Sequence, residues 1–357
     1  MDSPFRGNDV PSILPRRPRM ETRSKILEIP RLLRDTLEKG LHEYETLIRH
    51  VRWGEAPLYI CACGASVPLG VAGVYLFEWL TGWPAVARSA KVFEAYTVPA
   101  LRPRAVLLVI SVSGEDPDAL EIARLARSRG AMPLAMTRHP DSPLARACEG
   151  VFLTRDEGAD DSAAAAVCQL AALSLLALTT ARILKRSSSG LEQLEDELKR
   201  LPAHLEWSFA QLRDALRSLA QELRALDRFW LVGGGLYHPV AARGAWRLSA
   251  FGGMHGEGIE ISQFCSGPLS HLRRGETAMF VSGARTRIKR LVHQAAGQMK
   301  AKGAKLISLT DTNDRELVER SDIAILLPAL SEVGGSLLTL AVLELLAAPE
   351  TILTARD

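Results

Sequence analysis

The chain has 357 residues, a net charge of +3, and apolar and charged shares of 47% and 24%. That is the composition of a soluble globular protein long enough for two domains with separate cores. Its basic clusters, Arg16–Arg19 and Arg273–Arg274, are short and not interleaved with aromatic residues, so no nucleic-acid partner is expected.

Met1–Arg19 is rich in proline and arginine and lacks an apolar core, which excludes a secretory signal and predicts a disordered tail over 1–22. A helical segment over 23–50 leads into a first domain, 51–187. There Pro57–Gly64 reads as a buried strand that turns through Cys63-Gly64-Ala65-Ser66 into an apolar helix. Ala105–Ser111 is a second such strand. It is followed by Ser113-Gly114, a helical pattern over Ala119–Arg129, Gly130, and a further strand at Met132–Thr137.

Ala163–Leu184 has the length and apolarity of a membrane span. Gln169, Ser174, Thr179 and Thr180 interrupt it and small residues dominate it, so a helix buried against a sheet is expected, with no membrane contact. Lys185–Gly190 marks a break. The segment 188–227 reads as connecting helices interrupted at Pro202, and 228–357 as a second domain.

The second domain repeats the first. Arg228–Gly234 corresponds to Pro57–Gly64, and Thr277–Val281 with Ser282-Gly283 corresponds to Ala105–Ser111 with Ser113-Gly114. Gly130 and Gly303 are separated by the same distance as Thr137 and Thr310, a shared offset at helix ends and strand ends. Short apolar strands alternating with helices predict parallel sheets covered on both faces, hence a tandem pair of flavodoxin-like three-layer αβα domains.

The five cysteines, Cys61, Cys63, Cys148, Cys168 and Cys265, are odd in number and lack zinc-ligand spacing. Reduced thiols and a cytoplasmic location follow, with neither metal nor cofactor expected. Tyr75, Trp79 and Trp83 fit either core or an interface, with core favoured.

In open parallel sheets ligands bind where the loops at the carboxyl ends of the strands converge. Cys63–Ser66 and Ser111–Asp116 both combine glycine, serine hydroxyls and a helix N-terminus, a set suited to an anion. Ordinary turn chemistry with N-capping reads equally from each loop alone, and Asp116-Pro117 fits an N-cap followed by the first helical residue.

Ser111-x-Ser113-Gly114-Glu115 after a buried strand, with Cys63-Gly64-x-Ser66 at an earlier one, resembles the SIS (sugar isomerase) domain family. The resemblance is greatest to the isomerase half of glutamine:fructose-6-phosphate amidotransferase. It extends from Lys25–Pro30 through Gln169-Leu170, His238–Ala241, Gly244-Ala245, His255–Glu257 and Gly267–Leu269. It implies a sugar-derivative site formed by Gly64, Ser66, Ser111, Ser113, Gly114, Asp116 and Ser162, in a homodimer whose crevice borrows residues from the neighbour. No glutaminase domain accompanies it and Asp2 follows Met1, so glutamine-dependent amidotransfer is not expected of this chain.

Several positions depart from the family. Ala65 replaces a threonine, Asp116 a threonine or serine, and Asp160 and Asp161 small apolar residues. Ala250 stands at the position of the family's base and Ser266 at that of its ring-opening histidine, and no lysine-bearing tail of the family type follows. His255, Glu257 and His271 are the remaining candidates for acid–base roles, against a structural role for each. Two readings follow: an isomerase or deglycase-like enzyme on a sugar or amino-sugar derivative with non-standard catalytic residues, or a non-catalytic sensor or partner subunit that binds one.

Overall fold

A computed structural model describes residues 23–348 apart from 52, 54, 55 and 187; the predicted N-terminal tail falls outside the described residues. The first domain is a parallel sheet of β1 (Leu58–Ala62), β2 (Ala85–Ser89), β3 (Val106–Ile110), β4 (Met132–Thr137) and β5 (Gly150–Leu153), in the order β2-β1-β3-β4-β5. The second contains β6 (Phe229–Gly233), β7 (Gly256–Glu260), β8 (Thr277–Val281), β9 (Lys305–Asp311) and β10 (Ile323–Leu327). Its order, β7-β6-β8-β9-β10, is the same topology. The repeat legible in the sequence is therefore a repeat of the fold. Gly130 and Gly303 both adopt left-handed backbone, with φ of +75° and +66°, a conformation that other residues enter only under strain.

The longer helices of the first half are α1 (Ile29–Ile48), α2 (Val67–Thr81), α3 (Pro117–Ser128) and α4 (Ala163–Ile183). Those that follow are α5 (Ser188–Gln211), α6 (Arg213–Arg224), α7 (Tyr237–Gly252), α8 (Lys289–Lys302) and α9 (Glu332–Leu346). Each sheet is buried on both faces, and the strands show it by alternation. Val106, Leu108 and Ile110 join a core common to both halves, whereas Leu107 and Val109 join a separate cluster beneath α3. In the second sheet Met279 and Val281 join the common core, and Ala278 and Phe280 a cluster beneath α8.

The common core is built around α4 and α9. Every residue from Ala163 to Ala181 is buried, as is every residue of α9. The stretch long and apolar enough to cross a membrane is thus interior, packed against α1, α2 and α9. Both helices begin on a serine N-cap: Ser162 Oγ accepts from the Ala165 N–H and Ser331 Oγ from the Gly334 N–H.

Two expectations are corrected. Pro202 does not interrupt the connecting segment, because α5 runs through it from Ser188 to Gln211. A proline inside a helix costs about 3 kcal/mol. Leu194, Leu198, Leu201, Leu205 and Phe209 are buried along this helix, and five such side chains at ~1.5–3 kcal/mol each outweigh that cost. Of the three aromatics assigned to core, Trp83 is buried and Tyr75 half-buried, but Trp79, near the end of α2, is 36% exposed.

Candidate functional site

The first sheet reverses its winding between β1 and β3, and the loops after these strands diverge around a cavity of about 130 Å³. Cys63–Ser66 and Ser111-Val112 line it together with Asp116, Asp160 and Asp161. Ser66 and Ser111 are both buried. Asp116 is the N-cap of α3: its Oδ1 accepts from the Asp118 and Ala119 N–H groups at 2.9 and 3.0 Å. The free amides that would greet an external anion at this helix start are therefore already taken by the chain's own carboxylate.

Ser113 and Gly114 shape the loop from behind the cavity. Ser113 Oγ donates to Asp160 Oδ2 at 2.6 Å. Gly114 has φ of +67°, and a Cβ there would lie 2.2 Å from Ser142 Oγ, so only glycine fits. Ser162 caps α4 through its lone pair and keeps its own proton to donate. The Cys63 thiol faces Cys61. That contact, burial and the charge of Asp116 push its pKa up.

Two groups of arginines hold these loops. Arg138 pairs with Asp156 at 3.2 Å and with Asp160, and donates to the Gly158 carbonyl at 2.7 Å. Burial pushes the Asp156 carboxyl up, against the Thr154 hydrogen bond and the Arg138 charge that hold it down. From the second half, Arg243 and Arg247 on α7 are both 1% exposed and share the buried Glu344 of α9, with Nε–Oε distances of 2.8 and 2.9 Å. Their remaining donors reach across to first-half carbonyls. Arg243 Nη2 donates to Asp161 O at 2.9 Å and Ser162 O at 3.4 Å, and Arg247 Nη1 to Asp161 O at 3.2 Å. Arg243 Nη1 also approaches Ala65 O at 3.5 Å.

The second sheet has the corresponding switch point between β6 and β8, but there the nest is filled from within. Glu332, the first residue of α9, is 4% exposed and accepts from Thr286 Oγ1 at 3.1 Å and from the backbone N–H groups of Arg287 and Leu236. A carboxylate of the chain thus occupies the place that an external anion would take.

Residues 55–180 and 222–349 each match the SIS domain. The chain belongs to the SIS domain family. The glutamine–fructose-6-phosphate aminotransferase (isomerizing) of Gloeobacter violaceus is 30% identical over 333 residues, which cover 90% of this chain and 54% of the relative. That of Thermococcus kodakarensis is 27% identical over 337 residues, 93% of this chain and 55% of the relative. The chain spans about half the length of these curated relatives.

Among solved structures, the C-terminal domain of glucosamine-fructose-6-phosphate aminotransferase from Francisella tularensis superimposes with a TM-score of 0.81 at 22% identity, over 92% of this chain and 94% of that one. Tagatose-6-phosphate ketose/aldose isomerase from Escherichia coli gives 0.71 at 15% identity, over 93% and 92%. At such identities the likeness is one of fold.

The candidate acid–base residues of the second SIS domain do not line the first-domain cavity. His255 precedes β7, and its carbonyl accepts from the Phe229 N–H, which places it at the amino end of the second sheet. Glu257 lies on the same edge strand, and both side chains are exposed. His271 is exposed and pairs Nδ1 with Ser270 Oγ at 2.8 Å. His238 is half-buried with Nδ1 enclosed and without a hydrogen-bond partner among the described residues; burial lowers its pKa.

Sequence reasoning missed Arg138, Arg243, Arg247 and Glu344. One signal pointed to the last: a lone glutamate within the apolar run of α9 must meet a buried cation, since an unpaired charge there costs several kcal/mol. Arg243 and Arg247 stand four residues apart on one helical face, but nothing linear says that they face the crevice of the other SIS domain.

Proposed function

We propose that this protein binds a small sugar derivative, uncharged or amine-bearing, in the first-domain crevice, with Gly64, Ser66, Ser111, Ser113, Gly114, Asp116 and Ser162 forming or shaping the site. One observation carries this reading: three carboxylates, Asp116, Asp160 and Asp161, line the same cavity as two buried serines. Carboxylates and hydroxyls accept and donate to sugar hydroxyls, and a carboxylate attracts an ammonium. The same carboxylates repel a phosphate by about 4 kcal/mol per like pair ~4 Å apart at an effective dielectric near 20. Arg138, the nearby cation, is committed to Asp156 and Asp160.

A cavity of about 130 Å³ is smaller than the roughly 300–1,000 Å³ of typical ligand pockets. Completion by a second copy fits that shortfall, and a homodimer in the cytoplasm, where the free cysteines stay reduced, is part of the proposal. The exposure of His255 and Glu257 leaves both free to meet a second copy, which keeps an isomerase reading open to direct test.

Thermal-shift titration of the full chain decides the main point. Glucosamine should raise Tm in the wild type and lose that effect in Asp160→Asn; equal shifts in the two proteins, or none, contradict the reading. For a ligand so found, deuterium exchange at C2 followed by NMR separates isomerase from binder.

A further inference from the structure

A larger cavity, about 340 Å³, is bounded by the end of α2, by α5, and by the loops after β8 and β10. It lies at the junction of the two domains and the connecting helices, beside the carboxyl ends of the second sheet, where doubly wound folds place ligands. Because Glu332 fills the backbone nest at the switch point itself, an incoming anion must find its charge partners one layer further out.

Such partners are present. Arg186 and Arg285 both line the cavity, and among the described residues neither has a carboxylate partner. Arg186 is set against Gly82, where a Cβ would come within 3.3 Å of its Nη2. The acid in the lining, Glu197, accepts from the Ser331 N–H at 2.8 Å and from the Ser331 hydroxyl and keeps its charge, so two guanidiniums face one carboxylate. Arg287, outside the lining itself, lies over the Trp79 ring at 4.1 Å and pairs with Glu332 at 3.9 Å, which balances its charge. Leu191 and Leu194 supply an apolar face.

From these observations we infer that this cavity is a second ligand site, selective for a small phosphate monoester, with Arg186 and Arg285 as the anion-binding pair. Guanidinium forks match tetrahedral oxyanions, and the apolar wall suits the ring face of the esterified group. The inference goes beyond the function proposed above, since the two sites are opposite in charge: the first-domain crevice disfavours the phosphate that the junction cavity selects.

The test is calorimetric titration of the full chain with fructose 6-phosphate and, as control, fructose. The phosphate ester should bind and fructose should not compete for its site. The double variant Arg186→Ala/Arg285→Ala should weaken binding at least tenfold while Tm without ligand stays unchanged, because both side chains are exposed. Asp160→Asn should leave the phosphate ester's affinity within twofold. No binding to the wild type, or binding untouched by the double variant but abolished by Ser111→Ala, overturns the inference. Glucosamine binding is read separately in the same variants: its loss in Asp160→Asn but not in the arginine variant tests the first-domain proposal alone.

Discussion

At the scale of single residues, the most consequential group is the buried trio Arg243, Glu344 and Arg247. Two guanidiniums and one carboxylate leave a net positive charge in the interior, spread over the carbonyls of Asp161 and Ser162. Removing the carboxylate strands two buried cations. Glu344→Ala is therefore expected to lose about 3–5 kcal/mol of stability in chemical denaturation. A loss below about 1 kcal/mol would show that the arginines find other partners.

Glu332 yields a prediction in pH. Burial raises its pKa, partly offset by the hydrogen bonds from Thr286, Arg287 and Leu236 and by the Arg287 charge. A raised carboxyl pKa means that the folded state holds the proton more tightly than the unfolded one. The stability this confers is fully present below the ordinary glutamate range of about 4.3 and is lost as pH rises through the folded value. Glu332→Gln has no such loss. Its Tm relative to wild type should rise with pH from about 4 to 7, and a flat difference across that range refutes the argument.

At the scale of elements, the second domain depends on a close approach of β7 to α7. A Cβ on Gly258 would lie 2.4 Å from the Ala242 Cα, a backbone atom that no rotamer change can move. Gly258→Ala must push strand and helix apart, at about 1–3 kcal/mol by the usual cost of overpacking. A Cm in urea equal to wild type would show the contact to be looser than described. The elements themselves were largely legible. Strands β1, β3, β4, β6, β8 and β9 follow from apolar runs bounded by glycine or serine turns. The four edge strands were not: β2, Ala-Val-Ala-Arg-Ser, and β7, Gly-Glu-Gly-Ile-Glu, are only partly buried and lack a continuous apolar signal, and β5, Gly-Val-Phe-Leu, and β10, Ile-Ala-Ile-Leu-Leu, are short apolar runs left unassigned.

At the scale of the whole molecule, the two SIS domains share one core through α4 and α9, so neither closes its apolar surface without the other. Calorimetry is expected to give one unfolding transition with equal calorimetric and van't Hoff enthalpies, despite a length at which domains commonly unfold separately. Two resolved transitions would contradict a common core.

By itself the sequence determined the repeat, the parallel α/β class, the burial of the Ala163–Ile183 helix, and the serine and aspartate loops at the first switch point. Periodicity, helix caps and turn residues are local, and local chemistry dictates them. Only the tertiary structure decided that Glu332 plugs the second switch point, that Arg243 and Arg247 support the first from across the domain boundary, and that His255, Glu257 and His271 do not line the first-domain cavity of their own chain. Each depends on how segments far apart along the chain come together in space. The first-domain crevice is lined by carboxylates, while Arg186 and Arg285, without carboxylate partners among the described residues, line the cavity at the domain junction.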